Sequence, residues 1–354
     1  MPKWWTGLAQ ADPDDASALH ALGLGFMAAR TLQVGLEFDV FTHLATRPQS
    51  LSELARTLGL AERAAARLLR ACAALGLVRM DNATYVNTPV VDKYLVRGRP
   101  TYIGSYVQLF DDLGYERWAH LSETLRQDRP LGGLDHPYHY LDDHVDEAAS
   151  FLSAQHHGSA SLGHALARRF DFTPFQCLLD LGGGAGTYTI EILRRYPQLQ
   201  GVIFDFPQVC EIAAETVRQA GLTDRVRTVA GDYERDALTS LLAGPNGPDV
   251  VLWSGNLHAS SPAQCARILR ELRSILPAHG VVLVHDYLLD DAGPGPLIPA
   301  LLALHMTLVS EHGQVYSGDE LRTLFTQAGF ARVETHPFLP GHSGLVVAHR
   351  SAPL

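Results

Sequence analysis

The sequence predicts an α/β protein in which a doubly wound, mostly parallel sheet follows a smaller helical region of winged-helix type. Three observations carry this. From about residue 176 onward, short apolar strands alternate with helices at a spacing of ~30 residues, the pattern of a parallel sheet with helices on both faces. The first 100 residues instead read as helices followed by two short strands. A glycine-rich turn, Gly182-Gly-Gly-Ala-Gly186, joins the first strand of the alternating part to its first helix.

The elements follow in order. Over residues 16–46, apolar positions recur at spacings of three and four (Leu19, Leu22, Leu24, Met27, Leu32, Val34, Leu36), which predicts one helical run. Ser50 and Glu53 form a capping-box pattern that starts a short helix ending at Gly59. A second helix runs from Ala61 to Leu75 and stops at Gly76, and the strands Leu77–Arg79 and Thr84–Val86 then flank a turn at Asp81-Asn82. Residues 100–170 read as mostly helical and are rich in histidine and aromatics. The predicted strands after that are Cys177–Leu181, Gly201–Phe204, Val226–Ala230, Val250–Trp253 and Val281–His285, with a late pair near Ala331–Thr335 and Gly344–Ala348. The intervening helices include Thr187–Tyr196, Val209–Gln219, Ser261–Leu276 and Gly318–Ala328. This divides the chain into a winged-helix-like region 1–100, a helical segment 101–170 and a sheet domain 171–354.

Composition bounds the function. The 354 residues are 46% hydrophobic and 19% charged, ordinary for a folded chain with a large core. The net charge is −10, and it is uneven: residues 1–100 carry 11 basic and 9 acidic side chains, so the acidity lies in the remainder. An acidic main body argues against bulk nucleic-acid binding. The four cysteines (Cys72, Cys177, Cys210, Cys265) form no C-x-x-C pair, which fits a reducing cytoplasm rather than a zinc or redox motif. No run approaches 18 apolar residues and the first residues lack an apolar leader, so neither a membrane span nor a signal peptide is expected.

The stretch Leu178-Leu-Asp-Leu-Gly-Gly-Gly-Ala-Gly-Thr187 carries the sharpest chemistry. Glycines without Cβ let a ligand approach the backbone, and the following helix start offers free N–H groups. Asp205 ends the second strand 19 residues after Gly186, an acid placed for a ribose diol, and Asp232 follows the third strand. A dinucleotide site is one reading. The Asp-x-Gly-x-Gly-x-Gly spacing with acids after strands two and three instead resembles the S-adenosylmethionine site of class I methyltransferases.

The resemblance extends over most of the chain. It is similar to the small-molecule O-methyltransferases that include the plant caffeate and flavonoid enzymes, acetylserotonin methyltransferase and bacterial natural-product enzymes. The matching motifs are Leu75-Gly-Leu-Val78, Leu179-Asp-Leu-Gly-Gly-Gly-Ala-Gly186, Phe204-Asp-Phe-Pro207, Gly231-Asp232, Leu257-His258 with Cys265-Ala-Arg-Ile-Leu269, and Ala328-Gly-Phe330. The resemblance implies a helical, winged-helix-like dimerisation domain, a homodimer, and a Rossmann-like cofactor domain. It implies that Gly182, Gly184 and Gly186 hold the methionine part of S-adenosylmethionine, Asp205 the ribose, and Asp232 and Tyr233 the adenine, with Ser159 at the carboxylate. Asp180, Phe206 and Ser254 complete the expected cofactor set.

In the family a histidine after the fourth strand is the general base, usually within His-Asp-Trp. Here that place reads Asn256-Leu-His258-Ala-Ser-Ser-Pro262, so the histidine is kept and the Asp-Trp is not. Neutral imidazole, with an ordinary pKa of ~6.5, accepts a proton near neutrality. Of the family's two base-orienting acids, the first falls at Asp286 and the second at Val315, a departure. Phe151, Gln155, His305 and Met306 are the expected acceptor-pocket residues, with Tyr115 and Trp118 on a segment that covers the pocket or packs in the core.

The main expectation is therefore S-adenosylmethionine-dependent O-methylation of a small molecule, with His258 as base and Asp286 as its orienter. A second reading is C-methylation of an α-keto acid, in which His258, Asp286 and His305 hold a divalent or ferric transition metal that stabilises the enolate. The pairs His136/His139 and His156/His157 are weaker metal candidates. A third reading is a winged-helix DNA-binding regulator that senses S-adenosylmethionine or a metabolite, although the Ala/Leu-rich helices fit dimer packing better.

Overall fold

The computed structural model describes residues 12, 14–99, 101–130, 145–242 and 247–352, with the side chains of 109–113, 145–151, 153–154 and 157 outside that description. The chain forms two compact units, Met1–Tyr115 and Glu116–Leu354.

In the first unit, the predicted run 16–46 is three helices, α1 (Ser17–Gly23), α2 (Gly25–Glu37) and α3 (Val40–Thr46). The apolar periodicity continues through both breaks, but the backbone does not. Leu24 sits between two glycines, poor helix formers, and Asp39 adopts a left-handed φ of 54° ahead of α3. The capping box at Ser50 and Glu53 forms as expected and starts α4 (Leu51–Thr57), and α5 (Glu62–Ala74) follows. The strands β1 (Val78–Asp81) and β2 (Thr84–Asn87) pair antiparallel. Asn82 and Ala83 both have positive φ, the two-residue turn whose twist suits a hairpin. α6 (Pro89–Tyr94) and α7 (Gly104–Ala119) follow. Leu36, Val40, Phe41, Leu54, Leu69 and Cys72 form the core of this unit. The residues Leu19, Leu22, Phe26 and Met27 of α1 and α2 are exposed.

The second unit contains α8 (Leu121–Gln127), α9 (Val145–Arg169), β3 (Cys177–Leu181), α10 (Thr187–Arg195), β4 (Gln200–Asp205), α11 (Pro207–Gln219), β5 (Val226–Ala230), α12 (Leu238–Leu242) and β6 (Val250–Ser254). A short 3₁₀ turn (Leu257–Ala259) and α13 (Pro262–Ile275) lead to β7 (Val281–Asp286) and β8 (Leu288–Leu289). After them come α14 (Leu297–Val309), β9 (Tyr316–Ser317), α15 (Gly318–Gln327), β10 (Arg332–Leu339) and β11 (Ser343–His349). Seven strands form one sheet in the order β10-β11-β7-β6-β3-β4-β5. β3 to β7 are parallel, and β11 is antiparallel to both its neighbours. The predicted doubly wound sheet is thus observed. Its two faces bury separate cores, one around Leu179, Trp253 and Phe325, the other around Leu178, Ile203 and Phe338. Burial on both faces explains why these strands read as continuous apolar runs. The β8–β9 pair is a separate parallel ladder that the sequence pattern did not reveal, being only two residues long on each side.

The chain runs from β3 outward through β4 and β5, then returns to β6 on the other side of β3. This is a topological switch point, and in open α/β sheets ligands bind in the crevice beyond the carboxyl ends of the strands there.

Candidate active site

At the carboxyl end of β3, Gly182, Gly184 and Gly186 all have left-handed φ (66°, 54° and 77°). At Gly182 the need is also steric, since a Cβ there would lie 1.9 Å from Asn256 Nδ2. That amide donates to the carbonyl of Gly182 at 2.9 Å, while Asn256 Oδ1 is buried with no hydrogen-bond partner.

Asp205, at the end of β4, reaches back under this turn. One carboxylate oxygen accepts the N–H of Gly184 and the other that of Phe206, both at 2.8 Å. Burial pushes the Asp205 carboxyl up to about 6, and these two N–H groups pull the other way. Asp180 lies beneath the turn, where its carboxylate accepts from Thr189 Oγ1 at 2.7 Å, and burial raises it also to about 6. Asp180 therefore props the turn, with its carboxylate engaged away from the mouth. Beyond β5, the carboxylate of Asp232 accepts the N–H of Glu234 at 2.8 Å, and Tyr233 is buried with its ring edge-on to Trp253. Ser254 ends β6, half-buried.

α9 passes over the turn. A Cβ at Gly184 would be 3.5 Å from the side chain of Leu152. Gln155 and Ser159, three and seven residues further, share that face and are half-buried. His156 pairs with Thr187 Oγ1 at 2.7 Å, at the start of α10. The side chains of Phe151 and His157, and all of His136 and His139, lie outside the described residues.

On the other side of the switch point, β6 ends in Ser254-Gly255-Asn256 and the 3₁₀ turn presents His258. His258 and Asp286, at the end of the neighbouring strand β7, are 6% and 3% exposed. His258 Nδ1 lies 2.8 Å from Asp286 Oδ1, and the backbone N–H of His258 donates to Oδ2 at 3.3 Å. The N–H of Tyr287 also donates to Oδ1, at 2.8 Å. A carboxylate held by these donors accepts a hydrogen bond from Nδ1–H, which leaves Nε2 as the accepting nitrogen of the ring. The carbonyl of His258 is in turn held by the N–H of Gln314 at 2.8 Å.

The other expected pocket residues lie on α14. Met306 is buried in an apolar cluster with Leu308, Val309 and Val315. Val315, at the place of the second acid, therefore adds packing and no charge, and among the described residues Asp286 is the acid that orients His258. His305 accepts a hydrogen bond from Trp118 Nε1 at its Nδ1 (3.1 Å), and the two rings stack at 6.3 Å. Burial, with Arg117 and His258 nearby, pushes His305 down to about 4, so it is neutral with its proton on Nε2.

The metal triad expected as an alternative is not assembled. Among the described residues no group of three His, Cys, Asp or Glu side chains is arranged to hold a metal ion. The carboxylate of Asp286 is spent on His258 itself, on its Nδ1 and its backbone N–H, and on the N–H of Tyr287, so it buttresses the ring instead of standing beside it as a second ligand. A cavity of about 890 Å³ does exist in this unit, but it is lined by Cys177, Arg225 and His279 at the opposite, amino-terminal edge of the sheet.

Several contributors escaped sequence reasoning. Asn256 and Thr189 sit within or beside the quoted motifs, and a polar residue directly after β6 was the available signal for the first. The Trp118–His305 bond spans 187 residues and left none.

Comparison with known proteins agrees with this geometry. Residues 118–331 match the O-methyltransferase domain family and residues 21–97 the O-methyltransferase dimerisation domain. A Streptomyces sahachiroi 3-hydroxy-5-methyl-1-naphthoate 3-O-methyltransferase is 35% identical over 93% of both chains. Human N-acetylserotonin methyltransferase, solved with S-adenosylmethionine, has the same fold at a TM-score of 0.84 and 23% identity, covering 97% of this chain and 99% of its own. CalO1, a methyltransferase in calicheamicin biosynthesis solved with S-adenosylhomocysteine, is 26% identical with a TM-score of 0.78 over 97% of this chain and 100% of its own. Nothing in the fold or the comparisons favours the regulator or the keto-acid reading. With the methyltransferase domain alone spanning more than half of the sequence, the chain belongs to the family of S-adenosylmethionine-dependent O-methyltransferases.

Proposed function

We propose that this protein methylates a hydroxyl of an aromatic small molecule, with His258 as general base. The observation that carries the reading is the buried His258–Asp286 pair at the switch point, beside a glycine turn braced by Asn256. The residues fit S-adenosylmethionine: Asp205 for the ribose hydroxyls, Asp232 and Tyr233 for the adenine, and Gly182, Gly184 and Gly186 for close approach of the methionine part. Ser159 and Ser254 supply hydroxyls at the mouth, Phe206 follows the ribose acid, and Asp180 stiffens the turn. When bound, the cofactor supplies a methyl already activated by a sulfonium. With the cofactor in place, His258 Nε2 would take the proton of the acceptor hydroxyl, freeing its oxygen to accept the methyl while the sulfur–methyl bond breaks and its electron pair stays on sulfur. Asp286 holds the Nδ1–H and stabilises the imidazolium that results. Gln155, His305 and Met306 form the acceptor side, and the neutral His305 offers an N–H to a carbonyl or carboxylate of the acceptor.

The naphthoate relative supports a hydroxylated, planar acceptor. Assay with S-adenosylmethionine and a panel of hydroxynaphthoates and simple phenols tests this. Methyl ether formation that His258→Ala abolishes is expected, whereas methylation of α-keto acids alone would overturn it. The exposed apolar residues of α1 and α2, within the matched dimerisation domain, support a homodimer. Light scattering at twice the chain mass is expected, and a monomer would refute it. The four free cysteines fit a reducing, cytoplasmic setting. Among the described residues no helix is long and apolar enough to cross a membrane.

A further inference from the structure

We propose that Glu234 is a positioning residue that fastens the segment carrying His258 to the cofactor-facing loop, so that ordering one orders the other. The inference rests on the reading of His258 as base and of Asp232–Tyr233 as the adenine side. Both oxygens of Glu234 are engaged across the site. Ser260 Oγ donates to Oε1 at 2.5 Å and Gln264 Nε2 to Oε2 at 2.8 Å, from positions two and six residues after His258. Ser260 is fully buried, and its carbonyl is held by the Tyr316 hydroxyl at 2.8 Å. Gln264 is fixed in turn, its Oε1 accepting the N–H of Ser261 at 2.8 Å. On the other side, the N–H of Glu234 donates to the carboxylate of Asp232 at 2.8 Å. A continuous bonded path therefore runs from Asp232 through Glu234 and Ser260 to the turn that presents His258. Ser260 stands where the family's His-Asp-Trp stretch has its tryptophan, so this grip belongs to this chain's own residues.

A carboxylate accepts from both partners at once, whereas a glutamine accepts from Gln264 Nε2 and keeps Ser260 only by turning its hydroxyl to accept, so it holds the two segments less firmly.

The test is hydrogen exchange of residues 256–264 in the full-length protein, with and without S-adenosylhomocysteine, beside binding calorimetry and turnover. In the wild type, ligand is expected to slow exchange in this segment. In Glu234→Ala that protection is expected to disappear although ligand still binds, with kcat lower by about 10- to 100-fold, the scale of a small misplacement of a reacting group. Glu234→Gln should fall between. Glu234→Ala combined with Ser260→Ala should be no worse than Glu234→Ala alone, because both remove one connection. Unchanged ligand-induced protection in Glu234→Ala, or fully multiplicative losses in the double variant, would overturn the proposal. If Glu234→Ala does not fold, Glu234→Gln and Ser260→Ala decide the same question. His258→Ala separates the two ideas: retention of turnover there would refute the base assignment, while hydrogen exchange still decides the role of Glu234.

Discussion

The two halves of the proposed site, one for the cofactor and one for the acceptor, are built from different materials. The cofactor half is made by backbone: three left-handed glycines at the end of β3 and carboxylates that accept main-chain N–H groups from Gly184, Phe206 and Glu234. The acceptor half is made by side chains from distant segments, with His258 held by Asp286, His305 held by Trp118, and Met306 packed with Val315. A backbone cradle fits one ligand and tolerates little change. A side-chain wall is set residue by residue and accepts replacement. The first half is therefore suited to a fixed cofactor, and the second to an acceptor that varies among relatives.

Substitutions sharpen this contrast. The largest expected effect short of removing the base is Asp286→Asn. It leaves the shape intact but offers an amide to His258 Nδ1, favouring the wrong tautomer, and kcat should fall on the order of 10³-fold with cofactor affinity unchanged. Steady-state kinetics beside calorimetry checks the split. Gly182→Ala should do the reverse. At φ 66° with a Cβ 1.9 Å from Asn256 Nδ2, it forces the amide away and should weaken S-adenosylhomocysteine by about 100-fold or more, with the left-handed backbone adding ~1–2 kcal/mol of destabilisation. Gly255→Ala is its control: φ is 71° but nothing lies within 4 Å of the added Cβ, so only the backbone strain should appear in thermal unfolding.

Acidity should also distinguish the halves. The carboxyl of Asp205 is raised from 3.8 to about 6, and in the proposed role its ionised form accepts the ribose hydroxyls. Cofactor affinity should therefore rise as pH increases through about 6 and level off above, falling about tenfold per pH unit below it; Asp205→Asn should be weak and flat. The same raised value means that Asp205 contributes stability to the free protein below pH 3.8, lost as pH rises through about 6. Calorimetry from pH 5 to 8 measures the first effect. The smallest effect is expected at His305→Leu, which should raise KM for a carbonyl- or carboxylate-bearing phenol by about tenfold and leave simple phenols unchanged, the scale of one lost hydrogen bond. Equal losses for both acceptors would remove the donor role of His305.

The same contrast explains what was legible in the sequence. Glycines with acids at fixed spacing mark the cofactor half because they state a backbone requirement locally, as Ser50 and Glu53 state a helix start. His258 and Asp286 were legible through the family resemblance, and the parallel strands β6 and β7 bring them together at their ends. The break of the run 16–46 was not, since apolar periodicity measures burial and is blind to the left-handed Asp39. Nor were Asn256 against Gly182, Glu234 against Ser260, or Trp118 against His305, which are separated by 74, 26 and 187 residues. Such pairs are set by tertiary packing, and no local pattern encodes them. The metal triad failed for the same reason: the fold turns the carboxylate of Asp286 onto His258 itself.

The most direct test of the account is single-turnover methyl transfer by His258→Ala, measured with S-adenosylhomocysteine affinity on the same preparation. The account predicts a rate reduced by about 10³-fold with affinity within a few-fold of wild type, because the base and the cofactor cradle are separate structures. A variant that keeps more than a tenth of the wild-type rate, or that loses the cofactor together with the rate, would contradict it.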